Sequence, residues 1–269
     1  GNIKNLIETA VKKDDVEGKK SAINSSRPIN ILHDVIKSEL IRKGVNPELI
    51  NPRLGQFRGE KTLAGFLKFK QQDICVFPNN LAPNQETLEF KGLHTGSEDA
   101  FGELFTEHIL TINVRSQLSS LGKNVDTMFE RTYAEPINLH RRLPKMVLGE
   151  VYLIALHELD SNAIKNHQVV YKDFTATSAK YLEKYINGFA ALNLRNNQRD
   201  DDFKYERVAL IIADFAQNPV KIYRTTDELN NDGLLPDDSR ASMAHLSFDG
   251  FIDRLLSVYV RRFGSGILS

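Results

Sequence analysis

The chain has 269 residues, of which 41% are hydrophobic and 26% charged, the balance of an ordinary globular protein with a sizeable core. Its 35 Lys and Arg are matched by 35 Asp and Glu, so no general basic excess exists to drive non-specific binding to nucleic acid, although acidic surface can offset a basic groove. The one cysteine, Cys75, excludes an internal disulfide framework and fits a reducing compartment.

Residues 1–27 are polar and Lys-rich, with weak helical periodicity in Ile3, Leu6, Ile7 and Val11. This pattern predicts a polar arm or marginal helix ending in a linker from Ala22 to Arg27. Gly1-Asn2-Ile3-Lys4 lacks the apolar core of a signal peptide. The strongest apolar run, Met146 to Leu156, is interrupted by Glu150 and falls short of the roughly 20 residues that span a bilayer. A cytoplasmic protein with no membrane association is therefore expected.

From Ile29 to Lys43, Ile31, Leu32, Val35, Ile36, Leu40 and Ile41 recur at helical spacing, and Gly44 suits a helix end. Thr62 to Lys70 reads as a strand running into a second one, Gln72 to Phe77. A loop rich in turn formers follows, then a third apolar run from Thr87 to Gly92. A long helical region, broken near Gly122, is predicted over roughly 100–134, in which Ile112, Val114, Leu118, Leu121 and Val125 face a sheet, with Pro136 and Pro144 marking its end. Met146 to Leu156 reads as a central strand and Ser178 to Leu194 as an amphipathic helix. Arg207 to Phe215 and Val220 to Arg224 read as strands, and a final helix begins after Ser247. The order predicts one mixed α/β domain over 28–269, with its core at about 60–160 and further strands and helices over 178–265.

One stretch carries chemistry. Glu89 and Lys91 point to the same face of a strand, because side chains alternate. Folding a hairpin about Ala82 sets Asp73 opposite Lys91 and beside Glu89, with Ile74, Val76, Leu88 and Phe90 on the buried face. Two carboxylates and an ammonium then converge where a hard divalent cation can sit beside a proton-handling lysine. Two rival triplets, Glu17-Gly18-Lys19 and Asp202-Phe203-Lys204, lie in polar or charged surroundings.

This pattern resembles the PD-(D/E)xK phosphodiesterase superfamily, and within it the type II restriction endonucleases. The resemblance is carried by Asp73 to Lys91 and more loosely to Leu156; Gln72 stands where the family motif has proline. It implies a restriction-endonuclease-like mixed central β-sheet flanked by helices, with additional helices at both ends. It also implies Asp73, Glu89 and Lys91 as catalytic residues, with Mg²⁺ held by the carboxylates of Asp73 and Glu89 and the carbonyl of Phe90. Mn²⁺ would substitute. Family enzymes often add an upstream acid, for which Glu60 and Glu39 are both candidates.

The implied activity is cleavage of double-stranded DNA by a homodimer, with a cognate DNA methyltransferase encoded nearby. Arg115, Gln117, Lys123 and Asn124 are candidates for contacts to phosphates or base edges. Two alternatives remain: a non-catalytic nuclease-fold module that binds DNA or protein, and a structure-specific repair nuclease. Phosphate-binding Gly-rich loops, a nucleophile elbow and zinc-ligand spacings are absent from the sequence.

Overall fold

The computed structural model describes residues 1–89 and 93–269. Phe90 and Lys91 lie outside the described residues. The chain runs α1 (Asn2–Asn24), α2 (Arg27–Arg42), a short 3-10 turn (Pro47–Leu49), β1 (Ile50–Asn51), β2 (Lys61–Ala64), β3 (Phe69–Gln72), β4 (Ile74–Val76), β5 (Glu86–Thr87) and β6 (Glu98–Asp99). It continues through α3 (Glu103–Glu107), β7 (Leu110–Gln117), α4 (Val125–His140), β8 (Val147–Ala155), α5 (Ser161–Lys165), α6 (Ala176–Ala191), β9 (Arg207–Asp214), β10 (Lys221–Tyr223), α7 (Thr226–Asn231) and α8 (Phe251–Phe263).

Six strands form the central sheet in the order β1-β4-β7-β8-β9-β10. β4 is antiparallel to both of its neighbours, β7, β8 and β9 are mutually parallel, and β10 is antiparallel again. The sheet is mixed and flanked by helices on both faces. Every residue of β8 is buried, as a central parallel strand requires.

Alternation along the strands divides the core in two. Ile74, Val76, Ile112, Val114 and Val151 face α1, α2 and α8 through Ile7, Ile36 and Phe251. Cys75, Leu148, Tyr152 and Ile154 face α4 and α6 through Leu139, Leu182 and Phe189. Burial pushes the Cys75 thiol far up, so it packs as a small apolar side chain and supplies no thiolate.

Three sequence expectations are corrected here. The segment read as a long helical region broken near Gly122 does turn there before α4, but its first part contains the eight-residue strand β7, because Leu110, Ile112 and Val114 satisfy strand alternation. α4 runs through Pro136 instead of ending there. Proline cannot donate to the carbonyl four residues back, but that carbonyl, Thr132 O, accepts from the Tyr205 hydroxyl at 3.2 Å. The strand read over Thr62 to Lys70 is broken into β2 and β3 by a turn.

The N-terminal segment joins the core, since Ile3, Ile7 and Val11 are buried. α1 is interrupted at Asp14 and Asp15, the latter at φ 50°. A Cβ on Gly18 would lie 2.1 Å from the Ala10 carbonyl oxygen. Eight residues along an unbroken helix are about 12 Å apart, so the chain doubles back at the interruption and Gly18 permits the close approach. Among the described residues, no helix is long and apolar enough to cross a membrane.

Candidate functional site

Among the described residues, the hairpin expected between the Asp73 strand and the segment carrying Glu89 does not form. Both edges of β4 are occupied, by β1 and by β7, so no edge remains for the segment that carries Glu89. That segment begins as β5 and pairs with β6 through Glu86–Asp99 and Thr87–Glu98. Glu89 is exposed and lines a surface cavity with Glu86, Glu103 and Arg142. The expected contribution of Phe90 and Lys91 falls outside the described residues.

The strand beside Asp73 is β7. One step beyond the pair Ile74–Ile112, Asp73 lies across from Asn113, which in turn pairs with Glu150 on β8. The backbone N–H of Val114 donates to Asp73 Oδ2 at 2.7 Å. Alternation puts Asp73, Asn113, Arg115 and Glu150 on the face that packs against α4. Asn113 and Glu150 are buried, and Asp73 is half-buried.

A charged network fills this corner. Arg115 donates to Glu150 Oε1 at 3.0 Å and to Thr132 Oγ1 at 3.1 Å, and it pairs with Glu135 on α4. Lys70, on β3, lies 2.8 Å from the second Glu135 oxygen. The turn that leads to Lys70 is clamped by buried Asn138. Its Oδ1 accepts from the N–H groups of Leu67 (2.8 Å) and Lys68 (3.0 Å), and its Nδ2 donates to Lys68 O at 3.1 Å. Lys70 is thus positioned by α4, a helix distant in sequence.

Six groups respond electrostatically to Asp73, namely Cys75, Arg115, Glu60, Lys70, His33 and Glu150. Burial and then repulsion from Asp73 raise the Glu60 carboxyl above its usual range. Burial and then Arg115 lower the Lys70 ammonium, against the pull of Asp73 and Glu150. Burial lowers His33 despite the attraction of Asp73. Burial raises the Glu150 carboxyl to about 7, although Arg115 opposes the shift. Asn113 Nδ2, Glu150 Oε2 and His33 Nε2 are buried without a hydrogen-bond partner among the described residues.

Of the two upstream acids, Glu60 is the one that shares its electrostatic environment with Asp73. Glu39 pairs with Arg42 on the surface of α2. Among the described residues no group of three or more His, Cys, Asp and Glu side chains converges on one metal position. Asp73 and Glu60 nonetheless fit a hard divalent cation. Two repelling carboxylates, one of them half-buried and bonded to a backbone N–H, are the donor set that Mg²⁺ takes when substrate phosphate and water complete its shell.

The expected DNA contacts are placed differently. Arg115 and Gln117 lie on β7 and are occupied: Arg115 by its acids, and Gln117 by donating to Ser119 Oγ and to the Lys123 carbonyl, both at 3.3 Å. Lys123 and Asn124 are exposed in the turn before α4. Glu135, Glu150 and Lys70 went unread in the sequence. The one local signal was Glu150, an acid inside an otherwise apolar strand.

Comparison with known proteins finds no matching family model, no matching curated protein and no matching solved structure.

Proposed function

We propose that this protein is a Mg²⁺-dependent endodeoxyribonuclease acting on double-stranded DNA as a restriction enzyme, with its active site centred on Asp73, Glu60 and Lys70, a set that keeps the aspartate of the PD-(D/E)xK pattern and departs from its D/E-x-K spacing. The observation that carries this reading is the Asp73 carboxylate, fixed by the Val114 N–H at 2.7 Å in the corner where Lys70 meets Glu135 at 2.8 Å, with Glu60 raised by burial and by repulsion from Asp73. Support also comes from the mixed sheet flanked by helices, with the Asp73 strand antiparallel between its neighbours. The finer restriction-endonuclease fold, the homodimer and a methyltransferase partner belong to the same proposal.

Asp73 and Glu60 would hold the metal, which when bound polarises the scissile phosphate and makes an attacking water more acidic. Lys70, held by Glu135, would place its ammonium beside the scissile phosphate and the attacking water, orienting the water and offsetting charge that builds on the phosphate. Arg115 is held by Glu135 and Glu150, so it acts through the network, fixing the carboxylates around Lys70. Asn113 contributes an amide donor with no partner among the described residues, facing the same corner as Asp73.

Supercoiled plasmid and diverse linear duplexes, incubated with Mg²⁺, Mn²⁺ or chelator, test the proposal. Cleavage is expected in either metal, absent in chelator, and lost in Asp73→Asn, Glu60→Gln and Lys70→Ala. Glu89→Gln should cut like the wild type. Metal-independent cutting, or wild-type rates in Asp73→Asn, would refute it. DNA binding without cleavage in any metal would transfer support to the non-catalytic module. Preference for branched over linear duplex would favour the repair nuclease.

A further inference from the structure

A second charged site lies away from Asp73, at the ends of β8 and β9 where the strands begin. A cavity of about 690 Å³ opens there between the loop 196–200 and the C-terminal end of α8. Its cationic lining is Lys145, Arg199, Arg261 and Arg262.

The cavity wall is built. The Arg262 side chain is only 9% exposed, and its Nη1 donates to Glu206 Oε1 at 2.7 Å and to the carbonyls of Lys145 and Met146. Its Nη2 is buried with no partner among the described residues. Behind the loop, buried Arg207 donates to Asn196 Oδ1 at 3.0 Å. The Asp200 carboxylate is committed to that loop, accepting from the N–H groups of Asn196 (2.8 Å) and Asn197 (2.9 Å). Arg199 and Arg261 are exposed and make no ion pair among the described residues. Lys145 shares Glu107 at 3.7 Å.

The local charge does not balance. Lys145, Arg199, Arg207, Arg261 and Arg262 face Asp200, Glu206 and Glu107; the adjacent Asp201 and Asp202 are taken up by Lys204, Arg141 and Arg195, and Glu206 is also shared with Arg195 and His140. Burial and then the neighbouring Arg261 hold Arg207 below its usual pKa, so these cations repel one another. Clustered cations around an open concavity cost stability unless an anion enters. Guanidinium forks match phosphate oxygens in pairs, and two exposed guanidiniums with no ion pair among the described residues, Arg199 and Arg261, favour a polyanion over a single carboxylate.

We propose that this cavity binds the di- or triphosphate group of a small molecule. Asp200 lines it and Asp201 and Asp202 follow in the chain, an acidic run that disfavours an extended nucleic acid, while a compact polyphosphate fits inside. A cavity of this size lies in the range of small-ligand sites. The site needs no divalent ion and does not depend on the nuclease reading.

Calorimetric titration of the full chain in chelator, at constant ionic strength, tests the proposal with pyrophosphate, tripolyphosphate, ATP, sulfate and a duplex oligonucleotide. Pyrophosphate and tripolyphosphate are expected to bind with Kd of about 100 μM or tighter, with sulfate at least about tenfold weaker. ATP at the affinity of tripolyphosphate means that the phosphates alone are read, and tighter ATP means that the nucleoside adds contacts; both support the site. Arg199→Ala/Arg261→Ala should weaken pyrophosphate by about tenfold or more without lowering the Tm of the free protein. No binding at millimolar pyrophosphate, binding unchanged by the double variant, or loss confined to the duplex would overturn the proposal. Chelator keeps this outcome separate from metal-dependent cleavage at Asp73.

Discussion

The backbone N–H of Val114 donates to the carboxylate of Asp73 at 2.7 Å, although the two residues are 41 apart in sequence. The bond ties the acid to the strand beside it and makes its orientation a consequence of sheet register. Charge and hydrogen bond can be separated. Asp73→Asn keeps an oxygen that accepts from Val114 and should unfold in urea within about 0.5 kcal/mol of wild type. Asp73→Ala loses the acceptor and should cost about 1–3 kcal/mol.

Two fully buried glutamates make opposite pH predictions. Burial raises Glu150 to about 7 from the ordinary 4.5. Between those values the folded state holds a proton that the unfolded chain has released. Stability therefore falls as pH rises through this window, by up to about 3 kcal/mol. Burial also pushes Glu206 up, but His140, Arg262 and Arg195 outweigh it and hold the group at about 2. Its contribution is complete above 4.5 and is lost as pH falls toward 2. Urea titrations across this range should show Glu150→Gln flattening the near-neutral slope and Glu206→Gln flattening the acid one.

Asn138 holds the turn before Lys70 through its own side chain. Asn138→Ala leaves the Leu67 and Lys68 N–H groups without that acceptor and should cost about 1–3 kcal/mol. Faster hydrogen exchange at those two amides, with slow exchange retained in β8, is the local signature. Uniform acceleration would mean that the clamp is not local.

Gly18→Ala should be destabilising by about 1–3 kcal/mol, the usual range for overpacking, because the Ala10 carbonyl occupies the place of the new methyl group. Alanine is otherwise the better helix former, so a stabilising result would show that the two halves of α1 do not pack together.

Much of the architecture is legible in the sequence. Apolar periodicity marks α2, α6 and α8, and continuous apolar runs mark β8 and β9. β7 is not legible, because Ile112 and Val114 also fit a helical series continued by Leu118, Leu121 and Val125, and only pairing with β4 and β8 decides for a strand. The partner of β4 is hidden for the same reason. A short loop suggests a hairpin with the Glu89 segment, yet the sheet satisfies both edges of β4 from more distant residues. Asp73 and Glu60 were both legible as acids with candidate roles. Their common environment with Lys70 depends on the β2–β3 turn and on α4, which no local pattern reveals.

Calorimetric titration with Mn²⁺ of the wild type, Asp73→Asn, Glu60→Gln and Glu89→Gln tests the central claim most directly. If Asp73 and Glu60 are the acidic pair, the wild type and Glu89→Gln bind the ion alike, while Asp73→Asn and Glu60→Gln each weaken it by about tenfold or more. Binding lost in Glu89→Gln and kept in Glu60→Gln, or no uptake by the wild type, would contradict this assignment.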